Sequence, residues 1–247
     1  MSTLQVAELT GLIFLAALLY SSVGHAGASG YLAAMALFSV APVVMKPAAL
    51  TLNILVALIG TVQFARAGCF SWHIFWPFAV ASVPCAFLGG RVQLPVEAYR
   101  PVVGVVLLFA AIRLLMHTRA AAAARVRLPA LPVMLGTGAV IGFLSGLTGV
   151  GGGIFLTPLL LLMGWAETRQ AAGVSVPFIL VNSLSGMAGL LTHGVKLPAG
   201  IALWALAAAG GGLIGSHFGS RKFAGTTLRR VLAVVLVIAG LKLIFAK

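Results

Sequence analysis

The chain has 247 residues, of which 61% are hydrophobic and only 8% charged, with a mean hydropathy of +1.14. A soluble domain carries about a quarter charged residues, so this composition excludes an ordinary soluble protein, a disordered tail and a fibrous protein. The net charge of +13 comes from 16 Lys and Arg against three Glu and no Asp. The cations sit singly or in short clusters between apolar runs, where they orient a membrane protein and do not signal nucleic acid.

The apolar runs fall near 7–23, 28–40, 47–65, 71–90, 99–117, 131–147, 151–164, 170–191, 199–217 and 229–246. A full helical span takes about 20 residues, and several of these are shorter. The expectation is an all-α polytopic membrane protein with about 8–10 membrane helices. The first run could pass for a signal peptide, but no Lys or Arg precedes it and Glu8 has the wrong sign. It reads as the first structural helix.

The segment 118–130 carries Arg119, Arg125 and Arg127 and ends at Pro129, which marks a linker. It divides the chain into a first transmembrane repeat at 1–117 and a second at 131–247. RPVVGVVLLFAAIRLL (100–115) matches RRVLAVVLVIAGLKLI (229–244) at 7 of 16 positions. Gly27 falls on Gly151, Gly68 on Gly194 and Gly89 on Gly215, so the blocks recur in order at 124 to 129 residues. Internal repeats of this kind mark secondary transporters.

With an odd number of crossings per half, the repeats are inverted. The linker side then collects ten cations against six, which places the linker in the cytoplasm and both termini outside.

None of the three acids, Glu8, Glu97 and Glu167, lies at the centre of a run. That removes paired-carboxylate catalysis, carboxylate metal sites and a buried acidic proton relay. Cys69 and Cys85 form no CxxC and no zinc-ligand spacing. No motif for a cofactor or a metal is present. Trp72, Trp76, Trp165 and Trp204 fall near segment ends and read as an interfacial belt.

Three consecutive glycines, Gly151 to Gly153, interrupt the apolar segment Leu147–Pro158, with a counterpart at Gly24–Gly30. Broken backbone in a bilayer must be buried in protein or line a watery cavity. The N–H groups that open the next helix then attract an anion. Each half is therefore expected to hold a Gly-broken segment or hairpin.

Polar residues within apolar runs are costly and often functional. They are Ser21, Ser22, His25, Ser29, Thr51, Asn53 and Gln63 in the first half, and Ser145, Thr148, Thr157, Ser175, Asn182, Ser183 and Ser185 in the second. The candidate substrate-binding set is Ser22, Gly24, His25, Gly27, Ser29, Thr51, Asn53, Thr148, Gly149, Gly151, Gly152, Gly153, Ser175 and Asn182. With no membrane carboxylate to carry a proton, His25 is the candidate for proton coupling.

GLTGVGGGIFLTPLLLLMGW (146–165) followed by QAAGVSVPF (170–178) resembles the second-half signature of the TauE/SafE sulfite-exporter family. The first half departs from it: HAGASGYL has one aligned glycine where the second half has three, and Ala34 stands opposite Pro158. The resemblance implies a secondary transporter, not an enzyme. It would export a small sulfur-containing anion, sulfite or an organosulfonate, across the bacterial inner membrane. The implied partners are that anion and the lipid bilayer, with a homodimer left open.

Two alternatives compete. Gly27-Ala28-Ser29-Gly30 fits the GxSG signature of rhomboid intramembrane proteases, with Ser29 as nucleophile and His73 or His217 as base. The glycine breaks also fit a passive anion channel.

Overall fold

A computed structural model describes residues 2–115, 128–195, 197–198, 200–220 and 226–245. Most of the predicted linker, including Arg119, Arg125 and Arg127, lies outside the described residues.

The described residues form ten α-helices: α1 (Thr3–Ser21), α2 (Ala28–Leu37), α3 (Pro42–Arg66), α4 (Trp72–Arg91), α5 (Val96–Leu115), α6 (Leu131–Thr148), α7 (Gly153–Leu162), α8 (Thr168–Leu191), α9 (Ile201–Gly219) and α10 (Thr226–Phe245). No strand occurs among the described residues. Six helices (α1, α3, α4, α6, α8 and α9) are long and apolar enough to cross a membrane. By contrast α2 and α7 have 10 residues each. At 1.5 Å per residue they are about 15 Å long, half of a hydrocarbon core about 30 Å thick. The short runs of the sequence are thus half-length helices, each entered through a glycine break.

One boundary differs clearly from the apolar pattern. Helix α3 starts at Pro42, not at residue 47, and Pro47 lies inside it. Pro42 occupies the first turn, where its missing N–H costs nothing. Lys46 interrupts the hydropathy of this first turn and a half without interrupting the helix.

The helices approach closely because glycines recur every fourth residue. On α6, the α-carbons of Gly138, Gly142 and Gly146 lie against the carbonyls of Phe78, Ser82 and Ala86 on α4. On α9, Gly211, Gly215 and Gly219 lie in the same way against Phe14, Leu18 and Ser22 of α1. A Cβ at any of these six positions would overlap the facing carbonyl. Apolar side chains gain nothing by leaving lipid, so close backbone packing of this kind is what binds membrane helices. Both ridges join a helix from residues 1–115 to one from residues 128–245.

Large apolar side chains such as Leu58, Val80, Val140 and Leu206 are exposed on the outer surface. On helices of spanning length they are the lipid-facing surface. Trp204 departs from the expected belt, being buried.

The helix ends sort into two groups. The turn after α1 meets the start of α8, since the α-carbon of Gly24 faces Ala172, and the loop after α3 meets the same region through Cys69 and Gly173. At the opposite ends of α3 and α8, Tyr99 at the start of α5 donates to the Thr148 carbonyl at the end of α6 (3.1 Å). There Lys46 faces Gly149, and His193 pairs with the Arg91 carbonyl (2.8 Å).

Candidate functional site

Both breaks are built alike. Helix α1 ends at Ser21, and the chain turns through Gly24 (φ 78°) and Gly27 (φ 106°), the N-cap of α2. Helix α6 ends at Thr148, and the chain turns through Gly149 (φ 82°), Gly151 (φ 83°) and Gly152 (φ 84°), the N-cap of α7. These left-handed values disfavour any residue with a Cβ, which is why a glycine run and not merely small residues stands there. The N-caps make Gly27 the counterpart of Gly152, one residue away from the sequence alignment with Gly151.

The two breaks meet. Nε2 of His25, in the first, lies 3.2 Å from the carbonyl of Gly153, the first residue of α7. Nδ1 lies 3.3 Å from the Val23 carbonyl. Beside this link is a cavity of about 10 Å³ lined by Tyr20, His25, Ser29, Val150, Ile154 and Ile179. That is room for about one water and too little for an oxyanion with three oxygens.

Around the second break, α3, α6 and α8 bring polar side chains together. Asn53 Nδ2 donates to the Val150 carbonyl (3.2 Å). Its Oδ1 and the hydroxyls of Ser145 and Ser183 are buried with no hydrogen-bond partner. A Cβ built on Gly151 would lie 2.8 Å from Asn53 Nδ2 and 3.0 Å from Ser183 Oγ, and one on Gly152 would lie 3.4 Å from Ser145 Cβ. The polar atoms therefore crowd onto the broken backbone. Buried polar groups are nearly always paired, which makes this cluster the candidate site.

Other predicted residues are placed differently. Ser22, Thr51 and Thr148 turn their hydroxyls to their own helices, onto the carbonyls of Leu19, Pro47 and Leu144. Ser175 accepts from Thr157, tying α8 to α7 (2.7 Å). Asn182 accepts from Ser82, tying α8 to α4 (2.7 Å), and leaves its Nδ2 unpaired.

Sequence reasoning noticed Ser145 and Ser183 as polar but did not carry them into the site. It chose Asn182, whose neighbour Ser183 points about 100° away around the same helix, and only the packing distinguishes them. It also missed Lys46, counted as a loop charge, and Tyr99.

The protease arrangement is not assembled. Ser29 is buried in the first turn of α2, whereas His73 and His217 are exposed on α4 and α9. The two cysteines are free, and no group of three metal-ligating side chains occurs among the described residues.

Spanning helices with a lipid-facing exterior, and two glycine breaks meeting between them, define a polytopic helical membrane protein with the build of a secondary transporter. The sequence matches the family described as "Sulfite exporter TauE/SafE" over residues 9–243. The chain belongs to that family and is a membrane transporter. It is 43% identical to "Probable membrane transporter protein y4hK" of Sinorhizobium fredii, over 94% of this chain and 95% of that one. It is 30% identical to "Probable membrane transporter protein YunE" of Bacillus subtilis, over 43% of this chain and 38% of that one. No solved structure matches.

Proposed function

We propose that the protein is a secondary transporter that exports a small sulfur-containing anion, sulfite or an organosulfonate, across the bacterial inner membrane. The observation that carries this reading is the convergence of two helix-opening glycine breaks on one buried spot with no carboxylate among the residues that line it. Helix N-termini carry a partial positive charge and bare N–H groups. The unpaired Ser145 and Ser183 hydroxyls and the second N–H of Asn53 Nδ2, whose first goes to the Val150 carbonyl, add neutral donors. Such a set favours an anion and offers a cation little. Family membership supplies the sulfur chemistry of the substrate class.

Residues 1–117 and 131–247 act as inverted repeats joined by a cytoplasmic linker at 118–130. The support is the sorting of helix ends: α1 and α6, which correspond in order, finish at opposite ends of α3 and α8. The termini then lie outside. The small cavity means that the central site opens only when the helices around it move, as alternating access requires.

Proteoliposomes test the function. Protein-dependent, saturable flux of labelled sulfite or of a short alkylsulfonate is expected. Cation flux with no anion flux would refute the reading, and non-saturable anion flux would favour the channel. Cysteine labelling at the linker and both termini tests the inversion, which fails if all three lie on one side.

A further inference from the structure

Outside the glycine breaks, a second cavity of about 260 Å³ opens between the start of α3, the α4–α5 connection and the end of α8. Pro42, Val43, Leu94 and Pro95 give it apolar walls, and Lys46 is its one cation. Lys46 is only 7% exposed. Its Nζ donates to the carbonyls of Gly89 (3.4 Å), Gly90 (3.1 Å) and Val92 (3.2 Å), at the end of α4.

A lysine needed only as a cap for α4 could lie on the surface. This one brings a full charge into an apolar pocket whose lining residues include no Asp or Glu. Carbonyl dipoles solvate an ammonium but do not neutralise it, and burial without a counter-ion is costly.

The cavity also touches the transport machinery. The Cβ position of Gly149, which opens the second break, is 3.3 Å from Lys46 Cγ. Tyr99, another lining residue, donates to the carbonyl of Thr148, the residue just before Gly149 (3.1 Å). A ligand in the pocket would therefore touch Lys46 and Tyr99, the two lining residues that adjoin the α6–α7 turn.

We propose that this pocket is an anion-binding vestibule, separate from the central site, in which Lys46 exchanges its longest bond, to the Gly89 carbonyl (3.4 Å), for the charged head of a small organic anion, and the apolar walls take its short carbon chain. The proposal rests on the transporter reading. The cavity is slightly smaller than the range of about 300–1,000 Å³ usual for drug-sized ligands. Its single cation and apolar walls suit an amphiphilic anion better than a bare inorganic one, which asks for several donors.

The test is equilibrium binding to the full-length purified protein, using methane-, ethane- and propanesulfonate with sulfite alongside. Affinity should rise about threefold to fourfold per added methylene, as one buried CH₂ contributes. Lys46→Met should weaken ethanesulfonate binding tenfold or more, while Lys46→Arg keeps most of it. Val43→Asp decides the matter even if Lys46→Met fails to fold. Val43 is largely exposed, so a carboxylate there leaves the bonds of Lys46 in place. It should weaken binding about fivefold at low salt, with the effect fading at high salt.

Binding that is indifferent to chain length, or Val43→Asp binding at parent strength, would overturn the vestibule. Ethanesulfonate flux through liposomes that Val43→Asp leaves unchanged would overturn the vestibule while sparing the transporter reading. Lys46-dependent binding without any flux would sink that reading and leave the vestibule standing.

Discussion

Replacing Gly151 with Ala is the smallest change that tests the second break. At φ 83° an L-residue costs about 1–2 kcal/mol relative to glycine. The new methyl would sit 2.7 Å from Ile179 Cγ2, 2.8 Å from Asn53 Nδ2 and 3.0 Å from Ser183 Oγ. Carbon atoms prefer about 3.5–4.0 Å, and forcing a methyl into such a site adds about 1–3 kcal/mol. Even after Ile179 yields, about 2 kcal/mol remains, which shifts the ratio of native to displaced turn about thirtyfold.

Two other glycines separate the contributions. Gly68 has φ 69° with nothing within 4 Å of its Cβ position, so Gly68→Ala carries the backbone cost alone. Gly136 lies in α6 with open space around it, so Gly136→Ala should be neutral or slightly stabilising. The assay is saturable efflux from proteoliposomes, with insertion checked by gel filtration in detergent. Gly151→Ala should lower flux by up to about thirtyfold, with the two controls near the parent. Flux for Gly151→Ala equal to that of Gly136→Ala, at equal insertion, would show that the turn serves packing only.

Gly142→Val and Gly215→Val should each lower stability by about 1–3 kcal/mol, read as a fall in unfolding temperature in detergent, because each Cβ meets a backbone carbonyl (Ser82 and Leu18) that cannot swing aside; Gly136→Val, with open space, is the comparison. Ser82→Ala leaves the buried Asn182 amide without its remaining partner and should cost about 1–3 kcal/mol. Adding Asn182→Leu should restore part of that loss, and a double variant weaker than Ser82→Ala alone would contradict the assignment. His25 links the two breaks through the Gly153 carbonyl and is the candidate proton carrier. His25→Gln should therefore flatten the pH dependence of flux, and an unchanged profile would remove His25 from proton coupling.

Much of the fold was legible because hydropathy in a membrane protein is a direct statement about solvent. Each described helix corresponds to one apolar run, and the breaks fell where glycines clustered. Starts were less legible. Helix α3 begins at Pro42 because a proline and a charged lysine are both tolerated in a first turn, so the run seemed to start only after them. The glycine ridges were visible as spacing on α6 and α9, yet spacing does not name a partner. That α6 packs on α4 and α9 on α1 follows from three-dimensional closure.

Residue type singles out Asn53 and the breaks as candidates, but not which hydroxyls bond to their own helices. Thr51 and Thr148 bond to their own helices, as Ser and Thr commonly do, while the partnerless Ser145 and Ser183 are chemically indistinguishable from them in the sequence. Lys46 was missed because a cation at a run boundary usually faces water, and only the coordinates place this one inside the protein.

The ridges also decide what can move. Helix α6 is locked to α4 by three glycines against backbone, and α8 joins α4 where the α-carbon of Gly189 meets the Phe87 carbonyl. On the other side α9 is locked to α1 by three glycines, and α3 packs on α9 through Gly212 and Val56. Each body, α4–α6–α8 and α1–α9, mixes helices from both halves of the chain. The halves therefore cannot rock against each other without tearing both ridges. The softer contacts are those that α3 makes, with α8 where Gly60 meets the side chain of Val176 and with α9 where Gly212 meets the side chain of Val56, neither of them a carbonyl. Packed backbone is not continuously deformable, and motion concentrates where side chains can slide. Spin labels on the exposed faces at Val80 and Val140, both in the first body, should keep their separation when sulfite or ethanesulfonate is added. Labels at Val80 and Leu206, one in each body, should shift by several ångström, on the order expected of hinge or shear motion. A change in the Val80–Val140 distance as large as that between Val80 and Leu206 would refute the division and return the motion to the two halves of the sequence.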